Sequence, residues 1–78
     1  TAPIISADHK TIFFASNRTG DMQVWRMNAD GSNASPVTVK NGGSPLFVSP
    51  DGKRIFYLHG LHRTLWSVSA EGGDEQLF

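Results

Sequence analysis

Cysteine is absent from the 78 residues, which excludes a disulfide framework and any thiolate metal site. Its absence is compatible with either redox compartment. Charge of one sign is missing too: lysine plus arginine number 7, as do aspartate plus glutamate. No long-range field is left to draw in nucleic acid or an anionic membrane. Apolar runs are short, the longest being four residues, as at 12–15. A helix that spans a bilayer needs roughly 20. Neither nucleic acid nor membrane insertion is therefore expected. No stretch keeps helical periodicity over three turns. Thr1-Ala2-Pro3 carries no initiator methionine and no leader pattern, so a piece excised from a longer protein is expected.

What the chain does have is a repeat. Residues 6–14 (SADHKTIFF) match 49–57 (SPDGKRIFY) without a gap at an offset of 43, with five of nine positions identical. Residues 24–31 (VWRMNADG) match 65–72 (LWSVSAEG) at an offset of 41, and Pro3-Ile4-Ile5 aligns with Pro45-Leu46-Phe47 at 42. Length changes fall between the matched blocks, as they do in duplicated structural units.

Each copy reads as four short strands, near 4–6, 11–16, 23–28 and 35–39, then 46–49, 54–59, 64–69 and 75–78. Ile, Val, Phe, Tyr and Trp fill the strands, while Asp, Asn, Gly, Ser and Pro fill the gaps. Ser49-Pro50-Asp51-Gly52 is a tight-turn sequence, with Pro presetting φ and Gly taking a positive φ. Ile12-Phe13-Phe14-Ala15 and Ile55-Phe56-Tyr57-Leu58 are apolar at successive positions, whereas a sheet with one wet face would alternate. Both faces must be covered, and sheets stacked as blades around a central channel do that. The predicted fold is all-β, two four-stranded antiparallel blades of a β-propeller, with 1–41 as the first blade and 42–78 as the second.

Residues 14–20 (FASNRTG), then 24–31, then 49–55 (SPDGKRI) closely resemble the repeats of TolB-type, WD-like propellers, and the likeness covers essentially the whole chain. The first copy departs from the family with Ala7-Asp8-His9 in place of Pro-Asp-Gly. The second replaces the Ser-Asn-Arg-x-Gly stretch with His59-Gly60-Leu61-His62-Arg63. The resemblance, to TolB-like and to bacterial sensor or regulator propellers, implies a periplasmic or extracytoplasmic scaffold that binds protein or another ligand and does no chemistry. It also admits the substrate-gating propeller of a prolyl-oligopeptidase-like serine peptidase, or a purely structural fragment.

The candidate sites weigh the same way. No Gly-x-Ser-x-Gly elbow occurs to present a nucleophile. His59 and His62 are close in sequence but have no adjacent carboxylate or thiolate to complete a metal site. Asn28-Ala29-Asp30-Gly31 lacks the twelve-residue loop of a calcium site and reads as a turn. Asn17-Arg18-Thr19 and Asn33-Ala34-Ser35 fit a glycosylation sequon, which carries no meaning in a bacterial source. No cofactor or metal is expected. Trp25 and Trp66 hold equivalent positions, as packing residues would.

Between the copies, the hairpin joining the second and third strands changes most, and loop-built sites concentrate in such variable segments. The candidate binding-face residues are Asn17, Arg18, Asp21, His59, His62 and Arg63, with Lys40 and Asn41 on the blade-to-blade connection. Two blades do not close a ring of the usual four to eight. The expected partners are therefore further blades or copies of this chain, with another protein at the binding face.

Overall fold

The computed structural model describes residues 3–18, 20–39, 42–60 and 63–78. Eight strands form two four-stranded sheets in which neighbours in sequence are neighbours in space and every pair is antiparallel. The first sheet holds β1 (Ile4–Ile5), β2 (Thr11–Ser16), β3 (Gln23–Asn28) and β4 (Ser35–Pro36). The second holds β5 (Gly43–Val48), β6 (Arg54–His59), β7 (Thr64–Ser69) and β8 (Gln76–Leu77).

Strands β2, β3, β6 and β7 begin and end where the sequence places them, and the other four differ. The ladder of β4 stops at Pro36 because the N–H groups of Val37 and Thr38 both donate to the Val24 carbonyl, at 2.8 and 3.3 Å. β5 starts at Gly43, ahead of its first large apolar residue, and its register shifts between Pro45 and Phe47. Leu46 is thus the extra residue of a bulge, a device often found where a strand must bend. In consequence Ile4 and Phe47 are structural equivalents, each paired with the matching phenylalanine, Phe13 or Phe56. Ile5 and Val48 correspond likewise, opposite Ile12 and Ile55.

The β1–β2 and β5–β6 turns are duplicated atom for atom. The Asp8 carboxylate accepts from the Ser6 hydroxyl and the Lys10 N–H, while Thr11 N–H donates back to Ser6 Oγ. Asp51, Ser49, Lys53 and Arg54 repeat that pattern. The serine hydroxyl and then the backbone N–H hold both carboxyls below the ordinary 3.8. One position is mismatched. Gly52 takes φ +74°, and its counterpart His9 is forced to φ +61°. A side chain in that left-handed region costs about 1–2 kcal/mol, more than the roughly 0.5–1 kcal/mol of extra chain entropy that glycine loses. His9→Gly is therefore expected to raise the thermal midpoint by a few degrees in a calorimetric scan, and a lowered midpoint would contradict this account.

Alternation along each strand gives each sheet two faces. Ile4, Phe13 and Val24, with Val37 beyond β4, lie on what we term the forward face of the first sheet. Val48, Ile55, Tyr57, Trp66 and Val68 form the rear face of the second. These residues pack together as the core, in which Val24, Ile55, Tyr57 and Val68 are fully buried. Each such side chain contributes about 1.5–3 kcal/mol on burial. Polar contacts pin the seam: Arg26 Nη1 donates to the Ala70 carbonyl (2.9 Å), Gly73 N–H to the Val37 carbonyl (3.3 Å) and Val39 N–H to Glu75 Oε2 (3.0 Å). The two sheets meet front to back, through non-equivalent faces.

Candidate functional site

The β2–β3 and β6–β7 hairpins and the β4–β5 connection all lie at one end of the stack. This follows from antiparallel pairing, which sets Ser16 beside Gln23 and Gly43 beside His59. Between them opens a cleft of about 490 Å³ lined by Asp21, Met22, Gln23, Gly42, Gly43, Ser44, Leu58, His59 and Gly60. That volume lies within the roughly 300–1,000 Å³ of small-ligand sites.

Its walls are held by buried polar bonds. Thr38, fully buried, donates to Gln23 Oε1 (2.6 Å) and accepts from the Val24 N–H (2.9 Å). The floor is a glycine pair. A Cβ on Gly42 would strike the Gln23 side-chain oxygen and the Met22 carbonyl, and one on Gly43 would strike the Leu58 carbonyl. His59 is half-buried, packs edge-on against Trp66 (5.7 Å between ring centroids) and sets Nδ1 2.6 Å from the Gly42 carbonyl oxygen. A carbonyl only accepts, so Nδ1 carries the proton of this contact.

Of the candidate residues, Asp21 and His59 are brought together in this cleft. Arg18 points elsewhere. Its guanidinium lies 4.7 Å from the Trp25 ring centroid and 5.6 Å from that of Phe14, with Nε donating to Ser16 Oγ (3.1 Å). It covers the rear face of the first sheet, and beneath it Trp25 is buried with Nε1 unpaired among the described residues. Trp66 is half-buried at the seam, with Nε1 donating to Thr64 Oγ1 (3.0 Å). Asn17 is exposed, its carbonyl accepting from Gly20 N–H at 2.8 Å. Arg63 lines an adjoining depression with Pro45 and Leu46, which shares Ser44, Leu58 and Gly60 with the cleft. Lys40, Asn41 and His62 lie outside the described residues. Comparison of the two copies missed Gln23, Thr38 and the Gly42–Gly43 floor, although the paired glycine ahead of a strand was the available signal.

Asp21, Ser44 and His59 share the cleft, as the members of a hydrolytic triad would. In a triad, however, the carboxylate holds Nδ1 to orient the imidazole, and here the Gly42 carbonyl holds it. Among the described residues no three metal-ligating side chains cluster.

The arrangement of sheets has a solved counterpart. A candidate TolB from Agrobacterium tumefaciens superposes with a TM-score of 0.83 over 96% of this chain, at 26% identity. The fold is that of two TolB-like propeller blades. In sequence the chain is similar to an uncharacterised protein of Agrobacterium fabrum (strain C58), 37% identical over an 88-position alignment that covers 97% of this chain. The chain spans 30% of that relative's length and 31% of the TolB structure's. No protein-family model matches it.

Proposed function

We propose that these TolB-like blades act as a non-catalytic binding scaffold, taking a segment of another protein at the cleft between the two variable hairpins. The observation that carries this reading is convergence: the hairpins that differ between the copies border one glycine-floored cleft, which Asp21 and His59 both line. The Asp21 carboxylate accepts hydrogen bonds, so the complementary segment brings donors, as lysine, arginine or a terminal amine does. His59 Nδ1, held on a carbonyl instead of a carboxylate, supports binding over acyl transfer. The TolB-like fold supports an extracytoplasmic setting.

Selection of a random linear peptide library against the chain is expected to enrich basic peptides. Asp21→Lys, at an exposed position, is expected to weaken them at least about tenfold, the effect of a charge reversal worth ~1.4 kcal/mol. Enriched peptides indifferent to that substitution, or no enrichment, would overturn the reading.

A further inference from the structure

The seam between the sheets can be written twice on the same molecule. On the forward side, Ile4, Phe13, Val24 and Val37 have as structural equivalents Phe47, Phe56, Leu65 and Phe78. The last pair is fixed by its bonding, since Val37 N–H donates to the Val24 carbonyl (2.8 Å) and Phe78 N–H to the Leu65 carbonyl (2.9 Å). On the rear side, Val48, Ile55, Tyr57, Trp66 and Val68 have as equivalents Ile5, Ile12, Phe14, Trp25 and Met27.

One member of each pair packs in the core and the other lies on an outer face, where Trp25 is already buried beneath Arg18, so that Arg18 falls within the rear face. Val37 is 2% exposed and Phe78 is 80% exposed. Ile5 and Phe47 are close to half exposed, while their partners Val48 and Ile4 pack against the core. The outward forward face is already ordered as an aromatic patch, with Phe47 stacked on Phe56 (4.9 Å) and Phe78 edge-on to Phe56 (5.5 Å). The polar part of the seam is not repeated: where the first sheet sends Arg26 to the Ala70 carbonyl, the second carries Ser67, and the Arg54 guanidinium beside it is engaged within its own blade, Nε donating to the Ser67 hydroxyl (3.1 Å), Nη1 to the Asp74 carboxylate (3.0 Å) and Nη2 to the Asp74 carbonyl (2.6 Å).

The geometry points to a second copy of this chain as the occupant of both faces. The forward face of the second blade in one copy docks on the rear face of the first blade in the next, repeating the apolar part of the internal seam. A contact between unlike faces is heterologous and closes into a ring when the rotation allows. About three chains make up the length of either relative, which gives six blades, within the usual four to eight. Three copies close the ring. This assembly is independent of the cleft, which neither Ile5 nor Phe47 lines.

Sedimentation velocity at micromolar concentration tests it with two exposed substitutions, Phe47→Glu on the forward face and Ile5→Glu on the rear. The unmodified chain is expected at three times the monomer mass, and each variant alone as monomer. An equimolar mixture is expected to pair as dimer, because each variant keeps the face the other lacks. A monomeric parent chain, a variant that assembles by itself, or a mixture of folded variants that stays monomeric overturns the proposal. Loss of assembly itself lowers a variant's urea midpoint by mass action, so folding is read from the parent's near-ultraviolet circular dichroism; a variant that loses that signal shows that Ile5 or Phe47 serves the internal fold and not a second seam, which overturns it equally.

Discussion

Replacing Gly43 with alanine is expected to leave the chain largely unfolded in the absence of denaturant. The reason is backbone meeting backbone. The added methyl would overlap the Leu58 carbonyl oxygen, with the carbonyl carbon at 2.8 Å and His59 Cα at 3.2 Å. All three atoms belong to β6, the strand that pairs with β5 across Gly43 and His59. No rotamer change relieves the contact, so the two strands must separate and give up ladder bonds at the start of the second blade. Such overpacking costs about 3 kcal/mol or more. A single core of this size seldom supplies more than about 3–5 kcal/mol. A urea titration followed by tryptophan fluorescence should show no folded baseline, and a midpoint like that of the parent chain would refute the steric account. Because Gly43 and the neighbouring Gly42 also form the cleft floor, the same experiment reports on the scaffold beneath the candidate site.

The second large effect is expected at Tyr57, the largest fully buried side chain, and it has opposite signs for two substitutions. Tyr57→Ala removes the ring from the middle of the seam, and truncation of a buried aromatic costs ~3–5 kcal/mol. Tyr57→Phe removes only the hydroxyl, which is buried and has no hydrogen-bond partner among the described residues. Burial, reinforced by the negative charge of Glu75, pushes the phenol pKa up, so the group stays protonated and contributes no charge. A buried unsatisfied polar atom costs about 1–3 kcal/mol, so phenylalanine is expected to match or exceed the parent in denaturant midpoint. The first blade already carries phenylalanine at the equivalent position, Phe14. A clear loss of stability in Tyr57→Phe would mean that the hydroxyl has an acceptor.

Much of this architecture was legible in the residues. The long strands and every serine–aspartate turn follow from local chemistry: runs of β-branched and aromatic residues, and side chains that bond to backbone two residues on. The other strands were less legible, because their limits depend on cross-strand bonding that no local pattern encodes. Val37 looks like strand, yet its N–H converges with that of Thr38 on one carbonyl. Gly43 looks like loop, yet it pairs closely because it lacks a side chain. The bulge at Leu46 also moved the alignment of the inner strands by one residue relative to the match of Pro3 with Pro45.

For the candidate site the sequence located the hairpins but not the grouping. Asp21 and His59 lie far apart in the chain and share a cleft only because the blades stack. Arg18, in the same hairpin as Asp21, turns instead onto Trp25, since a guanidinium gains from lying over an aromatic face that would otherwise meet water.

By itself, then, the sequence determined the strands, their turns, the duplication and the need for both faces of each sheet to be covered. Only the tertiary structure decided which face meets which. Phe13 and Phe56 are the same residue in the same place in two copies, yet the first is 3% exposed and the second lies half-open. Alternation along a strand is a local property fixed by backbone geometry, whereas burial depends on what is stacked against the sheet, which in this chain is one neighbour on one side.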